Sequence, residues 1–123
     1  MDRLSVYKTY VSFSDGSGEK IRPIIILTDN SQELSFEKSV LAVYSFKEKF
    51  VNERKQEFYN KILYRIKDAK IAGLDPKLVS YANVADVRKY PFKDLLKEAQ
   101  YLGNLSISDS LGVINKYNEY HSS

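Results

Sequence analysis

Tyr10-Val-Ser-Phe-Ser-Asp-Gly-Ser-Gly-Glu-Lys-Ile-Arg-Pro-Ile-Ile-Ile-Leu27 reads as a strand ending at Phe13, a tight polar loop, and a second strand starting near Arg22. Asp15-Gly16 and Ser17-Gly18 are turn dipeptides: glycine takes positive φ without steric cost, and short Asp and Ser side chains bond the local backbone. The chain therefore doubles back as a two-stranded ribbon with Lys20 and Arg22 at its mouth. Pro23 has no N–H for a ladder, which assigns it to a strand start or an edge. A cation fixed at the rim of a strand pair is well placed to meet a phosphate.

Upstream of that loop, residues 5–13 alternate. Tyr7, Thr9, Val11 and Phe13 share one face, and Val6, Lys8, Tyr10 and Ser12 share the other, the period of a half-buried strand. Ile24 to Leu27 is a β-branched run suited to a central strand, closed by the turn residues Asp29-Asn-Ser31. After a polar connection from Gln32 to Lys38, Ser39 to Ser45 makes a third strand. Short connections between three early strands predict a meander or small barrel.

Residues 46–66 support two readings. Phe50, Phe58, Ile62 and Ile66 fit one helical stripe, while Tyr59 to Tyr64 also fits a strand reached by a charged loop from Lys47 to Gln56. Beyond them a short helix is expected over Arg65–Ala72, stopped by Gly73 with Pro76 just after it. Leu78 to Val87 reads as a strand, with Val79, Tyr81 and Asn83 opposite Ser80, Ala82 and Val84, and Pro91 ends that element. The last third reads as helical: Lys93–Leu102 closed by Gly103, then a helix opened by Ser106-Ile-Ser-Asp109 in capping-box form and carrying Leu111, Ile114 and Tyr117 beside Val113. Gly112 weakens that helix by roughly 1 kcal/mol relative to Ala.

At 123 residues the chain is expected to form a single domain, 1–123, with one modest core. No stretch is long and apolar enough to cross a bilayer, and Met1-Asp-Arg-Leu4 does not resemble a signal peptide, so a cytoplasmic location is expected. With no cysteine there are no disulfides, thiolate metal sites or cysteine nucleophiles. The one histidine, His121, lies in a terminus expected to fray, which argues against a His-based catalytic pair or a transition-metal site. Gly16 and Gly18 lack the third glycine and following helix of a dinucleotide loop. A net charge of +3 permits an anionic partner, and ten Tyr and six Phe are suited to a small β core or to stacking on bases.

Any chemistry must therefore fall to Arg, Lys, Ser, Tyr or carboxylates. Arg22 suits a phosphate clamp or an ordinary strand-end arginine, and Ser45 a sugar or phosphate contact or an ordinary strand-end hydroxyl. Asp86 and Arg88 are close enough in sequence to pair with each other.

The run Phe13 to Leu27, with its short Gly-rich loop, Arg-Pro and aliphatic strand, resembles the signature of the MazF/PemK-like toxins of bacterial toxin–antitoxin systems. Val40 to Ser45 is similar to that family's next strand. Ala72-Gly-Leu-Asp-Pro76, Ser80 to Asp86 and Leu102-Gly-Asn-Leu-Ser-Ile-Ser-Asp109 resemble later segments of one PemK-like branch. The resemblance implies a mainly β, α+β fold, a small SH3-like β-barrel with a C-terminal helix, usually a homodimer. For the open segment it favours a charged loop from about Phe46 and a strand near Phe58–Tyr64.

It also implies a metal-independent endoribonuclease with no cofactor, cutting single-stranded RNA and held inactive by an acidic antitoxin tail. By position, Arg22 falls on the family's active-site arginine and Ser45 on its catalytic threonine. Lys20, Pro23, Phe46, Asp86 and Arg88 fall at RNA-contacting places, although the match slips by a residue at Asp86 and Arg88. Phe46 stands where the family has Ser and suits base stacking or barrel-rim packing. The loop Asp15–Lys20 is implied to be the lip of an RNA groove. The basic residues Lys47, Lys49, Arg54 and Lys55 alternate with Glu and read as solvated surface. The family's Gly-Asp before the first strand is Leu4-Ser5 here. That departure and Ser45 keep a non-catalytic binding module on the same fold as the alternative, with an unrelated small β domain a third reading.

Overall fold

A computed structural model describes residues 1–12, 16–28, 37–46 and 56–122. The expectations for Phe13 to Asp15, for the turn and connection over 29–36 and for the charged loop 47–55 lie outside the described residues. Six strands form one antiparallel sheet in the order β4-β5-β3-β2-β1-β6. They are β1 (Ser5–Ser12), β2 (Glu19–Ile26), β3 (Glu37–Phe46), β4 (Leu63–Arg65), β5 (Val79–Pro91) and β6 (Gln100–Asn104). Helices α1 (Gln56–Ile62), α2 (Phe92–Glu98) and α3 (Ile107–Ser122) complete the described chain. This is the expected mainly β arrangement with a C-terminal helix.

The β1–β2 hairpin forms as its turn residues require, pairing Val6 with Ile25, Lys8 with Pro23, Thr9 with Arg22 and Tyr10 with Ile21. β2 begins at Glu19, earlier than Arg22. Pro23 lies inside it, one residue beyond the last β2–β3 pair, Ile24 with Ala42. The ladder stops where the chain has no N–H to continue it.

Alternation splits the apolar residues of the sheet between two cores. Val6, Ile25, Leu41, Val43, Ala82 and Val84 face one side, with Val113 of α3 and Leu105. Val11, Ile24, Ile26 and Val40 face the other, closed by Leu95 of α2. α2 is seated further by Lys38, fully buried with its Nζ 4.8 Å from the Phe92 ring centre. β4 and β6 are the ends of the ladder order, and the turn after β4 rests on β6. A Cβ on Gly103 would stand 2.5 Å from the Ile71 carbonyl oxygen, and one on Gly73 2.2 Å from that of Leu102. The sheet thus curls into a barrel whose ladder is left unclosed.

β5 breaks its own alternation. Val43 pairs with Ala82 and Leu41 with Val87, so Ala42 alone faces the four residues Asn83 to Asp86. Up to Val84 the even-numbered residues face the α3 core, whereas beyond the bulge Val87 packs there. Leu4 has φ 67°, the left-handed region, at the position where the resemblance has glycine. It is held there by Leu4 N–H to Ile26 O (2.6 Å) and Leu105 N–H to Leu4 O (3.2 Å). A non-glycine residue in this conformation costs about 1–2 kcal/mol.

Several expectations change. The strand near Phe58–Tyr64 is helical as far as Ile62, and the strand is Leu63–Arg65, paired with Asn83 to Tyr81. The helical stripe and the strand each describe half of that segment. The helix over Arg65–Ala72 reduces to turns, because the carboxylates of Asp109 and Asp68 take the N–H groups of Lys67, Asp68 and Ile71. Its stop signal holds: Leu74 N–H to Ala69 O and Gly73 N–H to Lys70 O make a Schellman closure around Gly73 at φ 74°. The helix over Lys93–Leu102 ends at Glu98, and its expected stop, Gly103, is a strand glycine of β6. β5 runs on to Pro91 itself. On α3 the buried residues are Asp109 and Val113, while Leu111 faces solvent.

Candidate functional site

Beyond the last β2–β3 pair lies a cavity of about 390 Å³. β1 contributes Lys8, β2 contributes Lys20, Ile21, Arg22 and Pro23, and β3 contributes Val43 and Ser45. Gly73, Leu74 and Asp75 of the turn after β4 line it too, with Leu78 and, from β6, Leu102. Lys8 arrives because the hairpin register sets it opposite Pro23. Among the described residues that line it, three cations against one carboxylate give the cavity a positive field, suited to an anionic chain.

Arg22 and Ser45 reach this cavity from different faces of the sheet. Arg22 lies two residues before Ile24 and shares its face, whereas Ser45 lies two after Val43 and shares the α3-side face. The Arg22 guanidinium carbon sits 5.0 Å from the centre of the Tyr44 ring. The Ser45 hydroxyl is 2.9 Å from that of Ser80, its cross-strand partner, which is buried.

Tyr44 leads into a charged network on the Arg22 face. Its hydroxyl donates to Asp86 Oδ2. Arg88 holds the same carboxylate with Nε to Oδ1 at 2.9 Å and Nη2 to Oδ2 at 3.2 Å, and its Nη1 donates to the Ser12 carbonyl at 2.7 Å. Tyr90 donates to the Tyr10 carbonyl at 2.9 Å. Burial alone raises the carboxyl pKa of Asp86, but the bonds from Arg88 and Tyr44 and the charges of Arg88 and Arg22 outweigh it and hold the group below the usual carboxylate range. Burial raises the Tyr44 phenol, reinforced by its bond to Asp86.

Of the residues expected from the sequence, Lys20, Arg22, Pro23 and Ser45 line the cavity. Asp86 and Arg88 pair with each other as their default predicts and connect to Arg22 through Tyr44. Phe46 ends β3, paired with Val79. Lys8, Tyr44 and Ser80 were missed. Lys8 was recoverable, because a hairpin turning at Asp15-Gly16 sets it opposite Pro23. Tyr44 and Ser80 depend on long-range pairing that no local spacing encodes. His121 is not frayed: its ring lies 4.2 Å from that of Tyr117, and its Nε2 is 2.8 Å from the Val84 carbonyl oxygen. Among the described residues no group of three His, Cys, Asp or Glu could hold a metal ion, and no helix is long and apolar enough to cross a membrane.

No protein-family model matches the sequence, and no curated protein matches it significantly. Solved structures do match the fold. A MazE–MazF complex from Deinococcus radiodurans aligns with TM-score 0.67 at 11% identity, over 99% of this chain and 96% of the other. A mycobacterial endoribonuclease in complex with its cognate antitoxin aligns with TM-score 0.66 at 10% identity, over 99% and 95%. The Mycobacterium tuberculosis toxin MazF-mt6 aligns with TM-score 0.58 at 13% identity, over 94% and 95%. Taken over its whole length, the chain has the fold of the MazF toxins.

Proposed function

We propose that this protein is the toxin of a toxin–antitoxin pair, an endoribonuclease that cuts single-stranded RNA and so arrests translation. The observation that carries the reading is that Arg22, Ser45 and Lys20 line one cationic cavity in a chain with the MazF fold. In the proposed reaction the ribose 2′-oxygen attacks the adjoining phosphorus and the 5′-oxygen leaves. The products are a cyclic phosphate and a free 5′-hydroxyl. Arg22 neutralises the phosphate and gives the leaving oxygen a proton, which it regains through solvent from the attacking 2′-hydroxyl, and Ser45 contacts that hydroxyl. Lys20 tracks the backbone, while Pro23 and Phe46 contact bases. Asp86 and Arg88 brace the rim of the groove. The active form is a homodimer, and a flexible acidic antitoxin segment covers the same cavity.

Incubating the purified protein with single-stranded RNA and mapping new 5′-hydroxyl ends tests this. Wild type produces them, and a folded Arg22→Ala variant cuts about 100- to 1,000-fold more slowly, the scale of one lost electrostatic stabiliser. No cleavage by folded wild type sinks the enzymatic reading. It would favour a binding module instead, which has its own support: Ser45 sits on the sheet face away from Arg22 and is engaged by Ser80. Salt-sensitive RNA binding without cleavage distinguishes that module.

A further inference from the structure

Arg22 must be fixed in place and must also keep its charge for an anion. A carboxylate partner would satisfy the first need and defeat the second. Asp86, on the Arg22 face, is bonded instead to Arg88, at 2.9 and 3.2 Å. The group against Arg22 is the Tyr44 ring, 5.0 Å from the guanidinium carbon to the ring centre. An aromatic face attracts a cation through its quadrupole and contributes no counter-charge. The ring itself is held by β5. Its hydroxyl donates to Asp86 Oδ2, and its backbone pairs with Tyr81 of β5.

We infer that Tyr44 is a positioning residue that holds Arg22 over the cavity while leaving its positive charge free to meet a phosphate. The Asp86–Arg88 pair serves Tyr44 in turn: a carboxylate already neutralised by Arg88 anchors the phenol without drawing Arg22 away. Burial and the bond to Asp86 both favour the protonated phenol, so the hydroxyl keeps donating at neutral pH. Holding a long arginine in place before the reaction begins removes an ordering cost that reaching the transition state would otherwise carry.

The inference rests on the endoribonuclease reading for its catalytic consequence and on geometry alone for its structural one. The test therefore has two arms, run on the full chain as wild type, Tyr44→Phe and Tyr44→Leu. In the first, the Arg22 Nε–H resonance is followed by NMR. Wild type and Tyr44→Phe show the upfield shift of a proton over an aromatic face, and Tyr44→Leu loses it. In the second, cleavage of a single-stranded RNA oligonucleotide is measured. Tyr44→Leu lowers kcat about tenfold with KM little changed, while Tyr44→Phe stays within about threefold of wild type.

A wild-type Arg22 signal without the ring shift overturns the inference. So does a folded Tyr44→Leu with wild-type kcat, even when the endoribonuclease reading survives. If wild type does not cleave RNA, that reading fails and the NMR arm decides the placement of Arg22 by itself. Were Tyr44→Leu not to fold, the wild-type shift and its retention in Tyr44→Phe still decide.

Discussion

Gly112 looks like a defect when read as one residue of a helix, since alanine would support that helix better by about 1 kcal/mol. The structure gives its reason. A Cβ there would stand 2.2 Å from Cε2 of Tyr64 and 2.5 Å from its hydroxyl, which donates to Asp109 at 2.8 Å. The ring cannot retreat without losing that bond. Gly112→Ala is therefore expected to lower stability by about 1–3 kcal/mol despite the better helix former, seen as a lower denaturation midpoint. In a Tyr64→Ala background the same change should raise stability, and destabilisation in both backgrounds would refute the explanation. Leu4 is a related case. A leucine stands where the resemblance has glycine, and the structure holds it in the left-handed region at φ 67°. That departure was legible in the sequence, while its backbone angle follows only from the structure. The placement of Ser80 and Tyr44 was not, because it follows from pairing across strands far apart in the chain.

At the scale of elements, α3 is joined to the turn after β4 through one carboxylate. Ser106 caps the helix by accepting the Asp109 N–H at 3.0 Å, half of the box its sequence predicts. The Asp109 side chain turns the other way, accepting the N–H groups of Lys67 at 3.0 Å and Asp68 at 2.9 Å. Burial pushes its pKa up, and the two backbone bonds with those from Tyr64 and Ser106 outweigh it, leaving the group below its ordinary 3.8. A depressed folded pKa contributes stability that is fully present above the unfolded value and is lost as pH falls through the folded one. Asp109→Asn should thus cost roughly 2–4 kcal/mol near pH 7, and the gap to wild type should narrow as pH falls below 3.8. Chemical denaturation at both pH values measures it, and a gap independent of pH would exclude the ionic account. The capping pattern located this helix start correctly. The carboxylate's true partners lie about forty residues away, beyond the reach of any local motif.

For the whole molecule, the early sheet was largely readable: the β1–β2 hairpin, β3 and the C-terminal helix all follow from alternation, turn residues and caps. The region from Phe58 to Asn104 was not. There short elements change type within a few residues, and Gly103 serves contact with the Ile71 turn rather than ending a helix. Lys8, Lys20 and Arg22 gather at one cavity only because the sheet brings the hairpin mouth against β3 and the turn after β4. If all three contact phosphates, the binding constant for single-stranded RNA should fall with salt at a logarithmic slope of roughly −2, which fluorescence titration measures; a flat response would remove them from the interface. The bulge in β5 also sets where Arg88 points. Where Ala42 spans Asn83 to Asp86, the strand's in–out rhythm slips phase, and this slip is what sends Val87 inward and Arg88 toward Tyr44. Arg88's aim is therefore written in the spacing of its neighbours as much as in its own identity. A transplant of this site onto another barrel succeeds when residues 82–88 travel as one cassette, and a grafted Asp-x-Arg triplet on a strictly alternating strand would arrive facing the wrong way.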